Sequence, residues 1–212
     1  MIPVEAPNTL DTKTRILKAA EKLFGLRGFD ATSLRDITAE AQVNLAAVNY
    51  HFQSKESLID SIIERCMGPV NRRRIEMLEA AGPSPSVEQI VAAFLSPLLM
   101  MEVFSAGPFV GRVFSNPSLF VERVYKKHLI DVVERFSEAI GAALPDLPPE
   151  ERFWRLQFMA GSMSHLLALS GVMPLMSGQP FDPAVVMPRL VTFLAAGMRA
   201  PIAVISTTRK ED

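Results

Sequence analysis

The apolar residues of this chain recur every three or four positions through almost its whole length, and no stretch alternates strictly over strand length between turn signals. That period belongs to helices, so the expected fold is all-α. Ile16, Ala20, Leu23 and Phe24 stripe one face of a first helix over about residues 13–26, and Gly28 stands where a glycine stop is expected. Ser33 caps a short second helix, with Asp36 placed to complete a capping box, and that helix ends near Gln42. Asn44 opens a third helix and Ser54 a fourth, which runs to about Ala80 with a bend at Gly68 and Pro69. The clearest boundary is "AGPSPS", from Ala81 to Ser86, followed by the amphipathic "VEQIVAAFLSPLLMMEVF". Further helices are expected at about residues 117–144, 149–172 and 183–199, each opened near a proline.

Composition narrows the function. Apolar residues make up 49% of the 212, which suits one large or two small cores rather than a disordered chain. The formal net charge of -1 supplies no global attraction to nucleic acid, so such binding requires a local surface. Cys66 is the single cysteine, which excludes an intramolecular disulfide, reads as a small core residue and fits a reducing cytoplasm. The start, "MIPVEAPNTLDTKTR", lacks a basic segment followed by an apolar run and does not read as a secretory signal. The most membrane-like stretch, Phe158 to Met176, carries His165, several serines and Pro174, so it reads as a helix buried between subunits or domains, with no membrane as partner.

Two short helices joined by "AQV" and preceded by a longer one match a three-helix DNA-reading unit, whose last helix lies in the major groove. On the third helix Val48 and Phe52 point inward with the flank of Leu45, leaving Ala46, Ala47, Asn49, Tyr50 and Gln53 outward. Small residues let a helix approach base edges, an asparagine pairs bidentately with adenine, and an alanine or leucine methyl touches a thymine methyl. Thr32, Ser33, Tyr50, His51 and Lys55 supply donors for phosphates at the rim, aided by helix N-termini. Each also has a plain structural reading: Tyr50 and His51 as packing groups, Ser33 and Ser54 as caps, Lys55 as a solvated charge.

The run "TRILKAAEKLFGLRGFDATSLRDITAEAQVNLAAVNYHFQSKESLIDSII" closely resembles the DNA-binding domain of the tetracycline-repressor family of bacterial regulators. Its strongest marks are "AAEKLFGLRGFDATSLRDIT", "AQVNLAAVNYHF" and "SKESL". The resemblance implies an all-α homodimer with a helix-turn-helix domain over residues 1–55 and a larger helical ligand-binding and dimerisation domain over residues 56–212. It also implies base contacts at Arg35, Leu45, Ala46 and Asn49, phosphate contacts at Ser33, Tyr50, His51 and Lys55, and a place for Thr32 and Asn44 in the same DNA-binding surface. Leu45 and Ala46 lack the donors that some relatives carry there, which shifts hydrogen-bonded readout onto Asn49 and Arg35.

The second half offers little chemistry for an enzyme. His51, His128 and His165 are far apart, no Glu-x-x-His pair or thiolate zinc set exists, and there is no phosphate-cradling glycine loop or nucleophile elbow. The expectation is a protein that is not an enzyme and holds no metal or cofactor. A proline- and glycine-broken stretch places Met100, Met101 and Phe104 around an expected apolar pocket, with Phe158 and Ser162 from a later helix, although a plain core explains any one of them. Arg112 is the candidate for an effector's acidic end, against a structural partner such as Glu102 or Glu122. Small residues in the last two long helices, with Gly161, His165 and Ala195 as named contacts, point to dimerisation as a four-helix bundle. "FWRLQFMAG" with "FLAAGMRA" also resembles a branch that includes fatty-acid-responsive repressors. These features together predict a cytoplasmic repressor released from a pseudo-palindromic operator by a small apolar effector such as a fatty acid or acyl-CoA. The competing reading is a carrier of lipid-like molecules with an inactive helix-turn-helix.

Overall fold

In the computed structural model, described over residues 11–100, 119–169 and 172–203, every regular element is helical. The head consists of α1 (Thr12–Arg27), α2 (Leu34–Ala41) and α3 (Leu45–Phe52), closed by the first turns of α4 (Lys55–Ala80). Its core is the expected stripe of α1, with Ile37 and Ala41 from α2, Val48 and Phe52 from α3, and Leu58 and Ile62 from α4. Each large apolar side chain buried there contributes about 1.5–3 kcal/mol. The head therefore extends into α4, a single helix that continues through Pro69 into the larger domain.

Local chemistry sets the boundaries of these helices. Gly28 ends α1 at φ 85°, a conformation that costs glycine little, with its N–H donated to the Phe24 carbonyl. Ser33 and Asp36 complete a reciprocal capping box on α2. Asn44 Oδ1 accepts from the Ala47 N–H at 2.8 Å to open α3, and Ser54 Oγ accepts from the Ser57 N–H at 3.1 Å to open α4. Arg15 Nη2 donates to the carbonyls of Ala41 at 2.6 Å and Gln42 at 2.8 Å, placing a cation at the C-terminus of α2.

The larger domain is built around α5 (Val87–Met100), which lies between α4 and α10 (Pro183–Arg199). From Leu119 the described residues form a long helical stretch, namely α6 (Leu119–Val124), a π-helical turn (Tyr125–Leu129) and α7 (Ile130–Ala143), which packs on α4, α5 and α8 (Pro149–Leu169). Apolar periodicity places a helix here and carries no sign of the π turn. Within the described residues α8 runs to Leu169, and a separate short α9 (Met173–Ser177) follows, with Pro174 in its first turn. Asp182 caps α10 through the Ala184 N–H at 2.9 Å, and Pro183 takes its first position. Glu88 and Arg199 join α5 to the end of α10 by paired contacts of 2.6 Å, and that hydrogen bonding pulls the Glu88 carboxyl down to about 2. Cys66 is buried, and loss of water pushes its thiol up to about 11, as an inert core residue requires. No described helix is long and apolar enough to cross a membrane.

Candidate nucleic-acid interface

The two short helices present one surface. Val48 and Phe52 anchor α3 to the head, and Leu45, Ala46, Asn49 and Tyr50 all face out, Tyr50 at 84% exposure. Leu45 is more open than expected and Ala47 less so, the latter packing against the core. Asn49 and Tyr50 make no side-chain hydrogen bond with any described residue, so their polar groups are available to a ligand. His51 is half-buried, its ring 5.1 Å from that of Tyr50 in an edge-on arrangement. Arg35 is exposed on α2. Asn44 is also exposed at the start of α3, with its side-chain oxygen spent on the cap.

Three rim residues differ from expectation. Thr32 is completely buried, and its hydroxyl donates to the Gly28 carbonyl at 2.8 Å, so it braces the turn after α1 instead of facing a phosphate. A buried hydroxyl needs such a partner, and nothing in the sequence said which side Thr32 would take. Ser33 is exposed, but its hydroxyl is 2.6 Å from Asp36, and hydrogen bonding from Ser33 lowers the Asp36 carboxyl below its usual range. The positive end of α2 is thus already occupied by a carboxylate, which works against a phosphate there. Lys55 is half-buried, donates to the Phe29 carbonyl and lies 5.8 Å from the centre of the Phe24 ring. In the free protein it ties α4 to the loop after α1.

Of the expected effector and dimer residues, Phe158 and Ala195 have surroundings other than those expected, while Gly161 and His165 are exposed. Phe158, expected in a pocket, is 63% exposed on α8 and stacks on Trp154 with ring centres 6.3 Å apart. Ser162 spends its hydroxyl on the Phe158 carbonyl one turn back, at 2.8 Å. Gly161 and His165 are exposed and continue the Trp154 and Phe158 stripe at helical spacing. Ala195, expected at the dimer interface, is 1% exposed and faces its own protomer. On α10 the outward positions include Phe193, Ala196 and Gly197. Both helices are apolar on two sides, so periodicity alone does not decide which side turns in. Met101, Phe104 and Arg112 lie outside the described residues, as does the side chain of Met100.

Comparison with known proteins agrees with this geometry. The family model described as "Bacterial regulatory proteins, tetR family" matches residues 16–62, and the one described as "Tetracyclin repressor-like, C-terminal domain" matches residues 92–197, half of the chain. The transcriptional repressor NicS of Pseudomonas putida is 32% identical over 90 residues, covering 42% of each chain. The transcriptional regulator UidR of Escherichia coli is 28% identical over 144 residues, covering 64% of this chain and 71% of its own. For the probable regulator YttP of Bacillus subtilis and for NicS, the match spans only 26% and 42% of the relative's length. Among solved structures, a transcriptional regulator from Aquifex aeolicus aligns with a TM-score of 0.60 at 23% identity, over 89% of this chain and 98% of that one. The fatty acid degradation regulator FadR from Bacillus halodurans aligns with a TM-score of 0.64 at 15% identity, over 94% and 100%. With its head and its larger domain each matched by a model of the same family, the chain is a transcriptional regulator of the tetracycline-repressor family.

Proposed function

We propose that the protein is a DNA-binding repressor that acts as a homodimer and leaves a pseudo-palindromic operator when a small apolar effector binds its larger domain. In this account the reading surface belongs to residues 1–55, on a head whose core takes in the first turns of α4, and the rest of residues 56–212 dimerise and take the effector. The observation that carries it is the outward face of α3. It presents small and apolar groups around Asn49, whose amide is free to pair with a base edge, and Val48 and Phe52 on its inward face anchor it to the head's core. Arg35 supplies the second base-reading group. Tyr50 and His51 flank that face as phosphate contacts, with Lys55 reaching a phosphate only by giving up the Phe29 carbonyl.

The dimer face follows from exposed apolar surface. Phe153, Trp154 and Phe158 on α8 and Phe193 on α10 lie in water in the single chain, which is costly unless a partner covers them. Gly161, Ala196 and Gly197 in the same helices leave room for close approach, and a two-fold axis would pair both helices with their copies. Such a dimer carries two heads, and an effector that favours a different head spacing releases DNA by linkage.

A fatty acid or acyl-CoA is the first effector to test. It is favoured by the resemblance of the α8 and α10 sequences to the fatty-acid-responsive branch and by the apolar end of α5, which carries Pro97 within the helix and leads in sequence into Met100 and Met101. A mobility-shift titration on fragments of the source genome, with random DNA as competitor and acyl chains of graded length, tests both halves. Retarded fragments that survive competitor and are released by one range of chain lengths support the account. Binding that disappears with competitor refutes the repressor, and release by no chain refutes the acyl effector.

A further inference from the structure

Among the described residues the larger domain buries Arg74 and Arg155, and they are satisfied in different ways. Arg155, near the start of α8, bonds Glu151 at 3.2 Å and the Met198 carbonyl at 2.7 Å, so its charge meets a carboxylate and the negative end of α10. Arg74 on α4 is 2% exposed and has no carboxylate partner among the described residues. Its Nε donates to the Phe94 carbonyl at 2.8 Å, Nη1 donates to Asn71 Oδ1 at 3.1 Å, and Nη2 approaches the Met163 sulfur at 3.4 Å. The guanidinium also lies 4.1 Å from the centre of the Phe94 ring.

These contacts hold the group in place and bring no carboxylate of the described residues to its charge. The Phe94 carbonyl is a neutral backbone acceptor, next to the Ala93 carbonyl that Pro97 leaves without its helical donor, and a neutral donor would serve it as well as an arginine. A thioether is a weak acceptor, and five guanidinium N–H groups exceed the acceptors present. Taking a cation out of water without an anion is expensive, and burial accordingly pulls the Arg74 pKa down to about 9, still charged at neutral pH. A flexible methionine on the far side is easily displaced by a better acceptor.

We propose that Arg74 binds the oxyanion of the effector, a carboxylate or phosphate at the end of an apolar chain, with Asn71 holding the guanidinium and Met163 yielding its place. This rests on the reading that the larger domain takes an apolar effector, and it names that effector's polar end. A bidentate contact between guanidinium and oxyanion supplies the missing countercharge. The aromatic and thioether neighbours suit the first carbons of the chain.

Calorimetric titration of the full chain, stripped of co-purified lipid, with decanoate, decyl phosphate and decanol tests the assignment. The wild type should bind at least one of the two anions tenfold or more tighter than decanol, and the preferred anion identifies the source. Arg74→Met should bring that ratio to within twofold by weakening the anion alone, and Arg74→Lys should keep part of it. Equal binding of anion and alcohol by the wild type, or a preference undiminished in Arg74→Met, overturns the role of Arg74 and leaves the apolar effector standing. Binding of no chain removes the acyl reading and this assignment together. Should Arg74→Met fail to fold, carboxyl-labelled decanoate on the wild type decides by NMR. A bound carboxyl held ionised well below the titration range of the free acid supports the contact, and one that titrates as the free acid contradicts it.

Discussion

Asn71 on α4 donates from Nδ2 to the backbone carbonyl of His128 at 2.7 Å, fastening the helix that enters the head to the π turn between α6 and α7. Single π turns interrupt regular helices at a cost and concentrate at functional sites. Arg123 and Lys127 reinforce the junction through Asp60, at 2.9 and 3.0 Å. Asn71→Ala strands that carbonyl and frees the Arg74 guanidinium, so it should cost about 1–3 kcal/mol in urea unfolding. It should also weaken effector release more than DNA binding, which anisotropy titrations with and without effector resolve.

The outward stripe of α8 gives a prediction about assembly. Trp154→Glu and Phe158→Glu each place a charge where a second copy is expected, and should yield folded monomers with little specific DNA binding. Ala195→Glu places the same charge inside the protomer and should instead lower the melting temperature sharply. Sedimentation velocity and circular dichroism on the three variants separate the cases. An unchanged dimer in both α8 variants would move the interface elsewhere.

On the head, Asn49→Ala should cost about 1–3 kcal/mol against the operator and almost nothing against random DNA. Ser33→Ala removes a cap already engaged with Asp36, so it should lower stability by about 1 kcal/mol and leave the salt dependence of DNA binding unchanged. A salt slope reduced by about one in Ser33→Ala would restore Ser33 as a phosphate contact.

Asn44→Ala tests the support of the reading helix. At eight residues α3 is too short to persist on propensity alone, and its first turn depends on Asn44 Oδ1. The variant should lose about 1 kcal/mol of stability. Hydrogen exchange should quicken in α3 ahead of α1.

Local signals in the sequence foretold much of this fold. Ser33, Asn44 and Ser54 cap within three residues of their donors, and the stripe Ile16, Ala20, Leu23, Phe24 is read directly from spacing. What spacing does not decide is which of two apolar faces turns inward, and there Ala195 and Phe158 exchanged their expected surroundings. The partners that Thr32 and Lys55 take in the free chain, the carbonyls of Gly28 and Phe29, were not legible because they are backbone groups that a side-chain pattern does not display. Arg74 had a signal that went unread. It continues the buried stripe Ile63, Met67 and Val70 at helical spacing, although "NRRR" looks like a solvated run.

Footprinting tests the central claim most directly. Fragments of the source genome selected by the purified protein would be mapped for protection with wild type and with Asn49→Ala. The account predicts a protected pseudo-palindrome whose half-sites face the same side of the duplex, lost in Asn49→Ala and lost when effector is added. Protection without two-fold symmetry, or a footprint identical in the mutant, would contradict it.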